Sequence, residues 1–148
     1  MNRRHGEPQT APGLVLIVED EMPIAEALSE IVAEAGYRVL VASNGRAGLD
    51  LARAERPSLI ITDLMMPYLD GAGMIAALRS EDPGENATPI PIVVMTAAGR
   101  GFAERVPYDA LLPKPFDIFE VEHLLDRFLS RRDQVQQSTK DPTTDSKE

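Results

Sequence analysis

The stretch Leu59–Pro67, LIITDLMMP, gives the first indication of the fold. Its apolar start, Leu59–Ile61, is typical of a strand that is buried on both faces of a parallel sheet. The strand ends at a carboxylate, Asp63, and a new helical pattern begins beyond Pro67. Open α/β sheets bind their ligands at the carboxyl ends of their strands, so Asp63 is a candidate functional residue. Taken alone, it would more often be an ordinary turn residue.

Apolar runs and helical patterns alternate along the rest of the chain. Helices are predicted where apolar residues recur at helical spacing or follow a capping residue. The sequence therefore predicts an α/β fold, a doubly wound five-stranded parallel sheet with right-handed βα connections. The four other strands are predicted at Leu14–Val18, Tyr37–Ala42, Ile90–Met95 and Asp109–Leu112. The helices are marked by Pro23, Ile24, Leu28, Ile31 and Val32; by Ser43–Gly45 and Leu51; by Met74, Ile75 and Leu78; and by Asp117, Ile118, Val121, Leu125 and Phe128.

The composition excludes several classes of protein. A chain of 148 residues with 43% hydrophobic and 26% charged residues suits one globular domain. There is no cysteine, so a disulfide framework, a thiolate nucleophile and a cysteine-ligated metal are excluded. Two histidines are too few for a histidine-rich metal site. A net charge of −9 argues against a nucleic-acid partner, because phosphate contacts need clustered Lys and Arg.

The two ends of the chain differ from its middle. Residues 1–12 are predicted to be a disordered leader, and residues 131–148 a disordered polar tail, which leaves 13–130 as the domain. A stand-alone domain is therefore expected. No apolar run is long enough for a membrane span, and the leader lacks the apolar core of a signal peptide. A cytoplasmic location without a membrane partner is expected.

Polar side chains follow four of the predicted strands. Glu19 and Asp20 follow the first strand, Asp63 ends the third, Thr96 follows the fourth and Lys114 follows the fifth. Parallel strands end at one edge, where three carboxylates repel each other unless a hard cation offsets their charge. Oxygen ligands favour Mg²⁺ with several retained waters. A hydroxyl and an ammonium beside such an ion suit phosphoryl transfer to an Asp nucleophile.

Four segments in this order resemble the receiver domain of bacterial two-component response regulators. They are Leu16–Glu21 (LIVEDE), Ile61–Pro67 (ITDLMMP), Met95–Ala97 (MTA) and Pro113–Phe116 (PKPF). The resemblance covers about residues 13–130 and implies a flavodoxin-like strand order of 2-1-3-4-5. It implies that the chain is a phosphoprotein that takes part in phosphorelay signal transduction. Its partners would be a histidine kinase or histidine phosphotransfer protein and an unidentified downstream protein.

The same resemblance implies roles for the acidic residues. Asp63 would be the phosphoacceptor, and Asp20 and Asp63 would bind Mg²⁺ directly. Glu19 would act mainly through a bound water, and Met65 would offer its backbone carbonyl as a further metal ligand.

The resemblance further implies that Thr96 turns toward the phosphoryl group and that Lys114 pairs with it, across a cis bond to Pro115. The chain departs from the family in two places nearby. Leu111 occupies the position of the family's aromatic switch residue, and Tyr108 lies too far upstream to replace it. Only 17 residues separate Thr96 from Lys114, fewer than is usual in the family. The fourth helix is therefore expected to be short or irregular, with output through Thr96 and residues 99–106 and no aromatic rotation.

Two other functions share parts of this pattern. An aspartyl-phosphate phosphohydrolase of the haloacid-dehalogenase type would carry a second Asp two positions after the nucleophile, where this chain has Met65. A degenerate receiver could act as a phosphorylation-independent adaptor. In receivers, which this chain resembles, the side chains two positions after the Asp and two after the Thr influence how water reaches the phosphoryl group. Here these residues are Met65 and Ala98, and neither can orient an attacking water by hydrogen bonding. We therefore expect a protein that is not an enzyme beyond its own phosphorylation and slow dephosphorylation.

Overall fold

The computed structural model describes residues 13–64, 66, 69–81, 89–97 and 107–130. Strands and helices alternate along these residues as far as the fourth strand, as the sequence predicts. The strands are β1 (Leu14–Val18), β2 (Arg38–Ala42), β3 (Leu59–Asp63), β4 (Ile92–Thr96) and β5 (Ala110–Pro113). The helices are α1 (Met22–Glu34), α2 (Gly45–Glu55), α3 (Gly71–Arg79) and the C-terminal helix (Ile118–Leu125), which continues as a π-helical turn (Asp126–Ser130).

The five strands form one parallel sheet in the order β2-β1-β3-β4-β5. This confirms the predicted order of 2-1-3-4-5. The register aligns Val18 of β1 with Thr62 of β3, and Asp63 with Met95 of β4. Residues that follow β1, β3 and β4 therefore lie side by side at one edge of the sheet.

The centre of the sheet is buried on both faces, because β1 is apolar throughout and β3 and β4 are apolar until their last one or two residues. In β1, Val15 and Ile17 pack on one face with α1 and the C-terminal helix. Leu16 and Val18 pack on the other face with α2 and α3. Two separate apolar cores thus hold the sheet in the middle of three layers, which is the arrangement expected for continuous apolar strands.

Capping residues mark the starts of α2, α3 and the C-terminal helix. Asn44 accepts a hydrogen bond from the amide of Ala47 at 2.9 Å and begins α2. Asp70 caps α3 in the same way, and Asp117 forms a reciprocal capping box with Glu120 at the C-terminal helix. The predicted cap at Asp117 is confirmed, and Asn44 lies in the segment Ser43–Gly45 that is predicted to start a helix.

Several predicted boundaries are wrong by a few residues, each for a local reason. Tyr37 lies outside β2, since its amide donates to Val32 in the turn that ends α1. β4 begins at Ile92 and not at residue 90, because Pro91 has no amide hydrogen to donate. Ile118 is 53% exposed, so it does not belong to the buried face of the last helix. That face consists of Val121, Leu124 and Leu125, and Leu129 extends it into the π-helical turn.

Some predictions fall outside the described residues. These are the leader at 1–12, the tail at 131–148, and the helix expected between β4 and β5 at about residues 98–106. Within the described ranges, no helix is long and apolar enough to cross a membrane.

Candidate functional site

Three carboxylates meet where β1 and β3 end. One oxygen from each of Glu19, Asp20 and Asp63 lies within 4.8 Å of the others. The three side chains differ in exposure: Glu19 is fully buried, Asp63 is half-buried and Asp20 is exposed. The structure therefore brings together the three acidic residues that the sequence places at this edge.

Asp63 is held from two sides. Its Oδ1 accepts a hydrogen bond from the amide of Leu64 at 2.8 Å. Its Oδ2 lies 3.3 Å from Nζ of Lys114. The side chain keeps 14% of its surface exposed, so a small donor molecule can reach it from solvent.

Lys114 lies between the buried carboxylate of Glu19 and the half-buried carboxylate of Asp63. Its Nζ lies 2.9 Å from Oε1 of Glu19, and the amide of Glu21 donates to the other oxygen of Glu19 at 3.1 Å. Burial raises the pKa of Glu19, although the ammonium and the Glu21 amide oppose that shift. Burial alone would lower the pKa of Lys114, but Glu19 and Asp63 outweigh it and raise the pKa. Lys114 is therefore a permanent cation at neutral pH.

The donor set fits a hard divalent cation. All three ligand atoms are oxygens, and the ionised carboxylates with one ammonium leave a formal charge of −2. The three oxygens lie within 4.8 Å of one another, and opposite ligands of Mg²⁺ lie about 4.2 Å apart, so the cluster has the size of a site for this ion. This spacing is consistent with Mg²⁺ that retains several waters. The backbone carbonyl expected from Met65 lies outside the described residues.

Thr96 ends β4 next to this cluster. It is half-buried and aligns with Pro113 of β5, and its carbonyl accepts a hydrogen bond from the amide of Lys114 at 3.1 Å. This bond sets Lys114 at the same edge as Thr96. The peptide bond between Lys114 and Pro115 is cis, as predicted.

The residues of the expected output face are described only in part. Leu111 lies in β5, where it packs with Tyr108 against the core on the α2 and α3 side. Residues 98–106, where the rearrangement is expected, lie outside the described ranges. The expectation that the protein switches without an aromatic rotation at Leu111 therefore stays a prediction.

Sequence reasoning missed the contacts that hold the loop after β3. The amide of Gly71 donates to the carbonyl of Leu64 at 2.9 Å. A Cβ at Gly71 would lie 2.1 Å from the carbonyl oxygen of Asp63, so only glycine fits there. The pair Asp70–Gly71 after Pro67 was the available signal, since glycine permits close approach of two backbones.

Replacing Asp20 by Asn tests the metal site. The change removes one charged oxygen ligand, so we expect the affinity for Mg²⁺ or Mn²⁺ to fall at least about tenfold. Calorimetry with Mg²⁺, or water relaxation with paramagnetic Mn²⁺, measures it. Glu21→Gln is the matched control, because it removes the same charge one residue away from an exposed side chain. Equal affinities in the two variants would place the metal elsewhere.

Comparison with known proteins agrees with this geometry. A family model of the response regulator receiver domain matches residues 15–126. The "probable transcriptional regulator ycf27" of Porphyra purpurea is 36% identical over 125 residues, covering 82% of this chain and 49% of that protein. Response regulator MprA of Mycolicibacterium vanbaalenii is 36% identical over 115 residues, covering 74% of this chain and 47% of that protein. The chain thus spans about half the length of these curated relatives.

Solved structures share the fold. The receiver domain of the sensor histidine kinase PA1611 from Pseudomonas aeruginosa superposes with a TM-score of 0.73 at 27% identity, covering 81% of this chain and 99% of that one. That structure has a magnesium ion coordinated in its active site cleft. The chemotaxis protein CheY4 of Vibrio cholerae superposes with a TM-score of 0.71 at 29% identity, covering 80% of this chain and all of that one (100%).

Proposed function

Because this chain belongs to the family of response regulator receiver domains of two-component systems, we propose that Asp63 accepts a phosphoryl group from a histidine kinase or a histidine phosphotransfer protein. The observation that carries the proposal is the convergence of Glu19, Asp20 and Lys114 on the carboxylate of Asp63. This arrangement combines a reachable nucleophile with a cation-binding acidic cluster and a fixed ammonium.

In the proposed reaction an oxygen of Asp63 forms a P–O bond while the P–N bond of the donor phosphohistidine breaks. The incoming phosphoryl oxygens are negative, so counter-charge is the main requirement. Mg²⁺ bound by Asp20 and Asp63, by Glu19 through water and by the carbonyl of Met65 would supply part of that charge. Lys114 supplies the rest, because its ammonium is 3.3 Å from Asp63 and can turn to a phosphoryl oxygen while it stays near Glu19.

The output that we propose is a phosphorylation-controlled interaction with a downstream protein. Thr96 would turn toward the phosphoryl group and transmit its presence to the neighbouring segment. The expectation of a stand-alone domain gains no support from the curated relatives, of which the chain spans about half, and several of which are named as transcriptional regulators. The expectation that nucleic acid is not a partner also gains no support, because several of these relatives are named as transcriptional regulators. A cytoplasmic location remains a prediction.

The test is phosphorylation by a small donor. Incubation with acetyl phosphate and Mg²⁺, followed by intact mass measurement, should add one phosphoryl group, and a chelator such as EDTA should prevent it. No addition under any donor or metal condition would favour the adaptor function. Free phosphate released in many turnovers per protein molecule would favour the phosphohydrolase.

The lifetime of the phosphorylated form is a separate prediction. We expect slow self-dephosphorylation and no other catalytic activity, because Met65 and Ala98 carry no group that could position an attacking water. The decay of the phosphorylated mass after removal of the donor measures this lifetime. Substitution of Met65 by Glu or Asn, which can hydrogen-bond water, is expected to shorten it. Decay of the unaltered protein within seconds would contradict the prediction.

A further inference from the structure

Three hydrogen bonds, connected by short covalent stretches of the chain, link the start of α2 to the carboxylate of Asp63. The amide of Gly45 donates to the carbonyl of Leu69 at 2.8 Å. Two residues later the amide of Gly71 donates to the carbonyl of Leu64 at 2.9 Å, and the amide of Leu64 donates to Oδ1 of Asp63 at 2.8 Å. The position of Oδ1 of Asp63 therefore depends on where the start of α2 contacts Leu69.

Gly45 is the point of closest approach on that path. A Cβ at this position would lie 2.0 Å from the carbonyl oxygen of Leu69 and 2.8 Å from that of Asp70. Both atoms belong to the backbone, so they cannot turn away as the end of a side chain could. Gly48, one turn further along α2, differs in this respect, because its Cβ would meet side-chain atoms of Met74 and Val18.

The start of α2 is itself fixed. Asn44 caps the helix through the amide of Ala47 at 2.9 Å, and Gly45 and Gly48 are buried. If a side chain were added at residue 45, Leu69 and Asp70 would therefore have to move to remove the clash. Their movement would also shift Gly71 and Leu64.

We propose that Gly45 is a positioning residue for Asp63: because it has no side chain, α2 can contact the backbone of Leu69 and Asp70. The hydrogen bonds from Gly71 to Leu64 and from Leu64 to Asp63 then orient the acceptor oxygen. This inference rests on the proposed phosphorylation of Asp63. Gly45 does not touch the metal site or the phosphoryl group, and it acts only through Leu69, Gly71 and Leu64. Displacement of a reacting group by about 1 Å can slow a reaction by about a hundredfold.

The test compares Gly45→Ala with the unaltered protein and with Val32→Ala. Val32 is fully buried in α1 within the other core, so its truncation destabilises the fold without touching the loop. Under conditions in which all three proteins are folded, we expect acetyl phosphate to label Gly45→Ala about ten to a hundred times more slowly. Val32→Ala should be labelled at the unaltered rate. The amide resonance of Leu64, which reports its bond to Asp63, should shift in Gly45→Ala and stay in place in Val32→Ala.

A second pair of variants decides the question if Gly45→Ala does not fold. Asn44→Ala removes the cap that fixes Gly45, whereas Asn44→Ser keeps a capping oxygen without adding charge. We expect Asn44→Ala to be labelled more slowly and Asn44→Ser to recover most of the rate.

The outcomes separate this inference from the proposed function. Absence of labelling in the unaltered protein would overturn both. Labelling of the unaltered protein, together with Gly45→Ala as fast as Val32→Ala, would overturn the role of Gly45 alone. If Gly45→Ala does not fold, labelling of Asn44→Ala as fast as Asn44→Ser would overturn it.

Discussion

Replacing Asp63 by Asn should abolish phosphorylation by acetyl phosphate. An amide oxygen is a poor nucleophile, and the change also removes one of the three charged oxygens that bind the cation. The side chain keeps its size, and its carbonyl oxygen can still accept the hydrogen bond from the amide of Leu64. The fold should therefore persist, which circular dichroism can verify.

The matched control for this change is Asp50→Asn. Asp50 is an exposed residue of α2 outside the acidic cluster, so its loss removes the same charge from the surface. Full labelling of Asp50→Asn and none of Asp63→Asn is the expected pattern. Undiminished labelling of Asp63→Asn would show that another residue is the acceptor.

Replacing Lys114 by Met should lower the free energy of unfolding by about 3 kcal/mol at neutral pH without metal, because it leaves the fully buried carboxylate of Glu19 without its cation. Urea denaturation in EDTA measures the change. Arg53→Met is the matched control, since Arg53 pairs with Glu81 at 2.7 Å on the exposed surface, where such pairs contribute about 0–1 kcal/mol.

The free energy of unfolding that is lost in Lys114→Met should depend on pH in a defined direction. Burial raises the pKa of Glu19, and removal of the ammonium that opposes this shift raises the pKa further. An acid whose pKa is higher in the folded state favours folding most at low pH, and that stability is lost as the pH rises through the folded pKa. The raised pKa of Lys114 in the unaltered protein keeps its contribution constant until alkaline pH.

The deficit of Lys114→Met should therefore shrink as the pH falls from about 8 to about 5. A deficit that is independent of pH, or no larger than that of Arg53→Met, would mean that Glu19 does not depend on Lys114 as a counter-ion.

The sheet and most of the acidic site could be predicted because they follow from local sequence. β1 and β3 are apolar at consecutive positions, which specifies burial on both faces, and parallel strands must end at one edge. Once Asp63 was placed at the end of β3, Glu19 and Asp20 at the end of β1 had to lie at the same edge of the sheet. The strand order came from resemblance to the receiver family and not from periodicity.

Long-range geometry is what the sequence did not reveal. Nothing in the run Glu19–Glu21 indicates that the first carboxylate is fully buried and bound to Lys114 while Asp20 is exposed. The contact of Gly45 with Leu69 joins segments that are distant in the chain, so no spacing rule could identify it. Ile118 matched the helical pattern, but it lies in the first turn of its helix and is exposed. The buried residues of that helix begin at Val121.

The measurement that tests the central proposal most directly is the location of the phosphoryl group within the chain. Phosphorylated protein can be treated with borohydride, which reduces an aspartyl phosphate to homoserine, then digested and sequenced by mass spectrometry. We predict homoserine at position 63 in samples prepared with acetyl phosphate and Mg²⁺, and unmodified Asp63 in samples prepared with EDTA. Homoserine at Asp20 or at any other acidic residue, with Asp63 unmodified, would contradict the assignment of Asp63 as the phosphoacceptor.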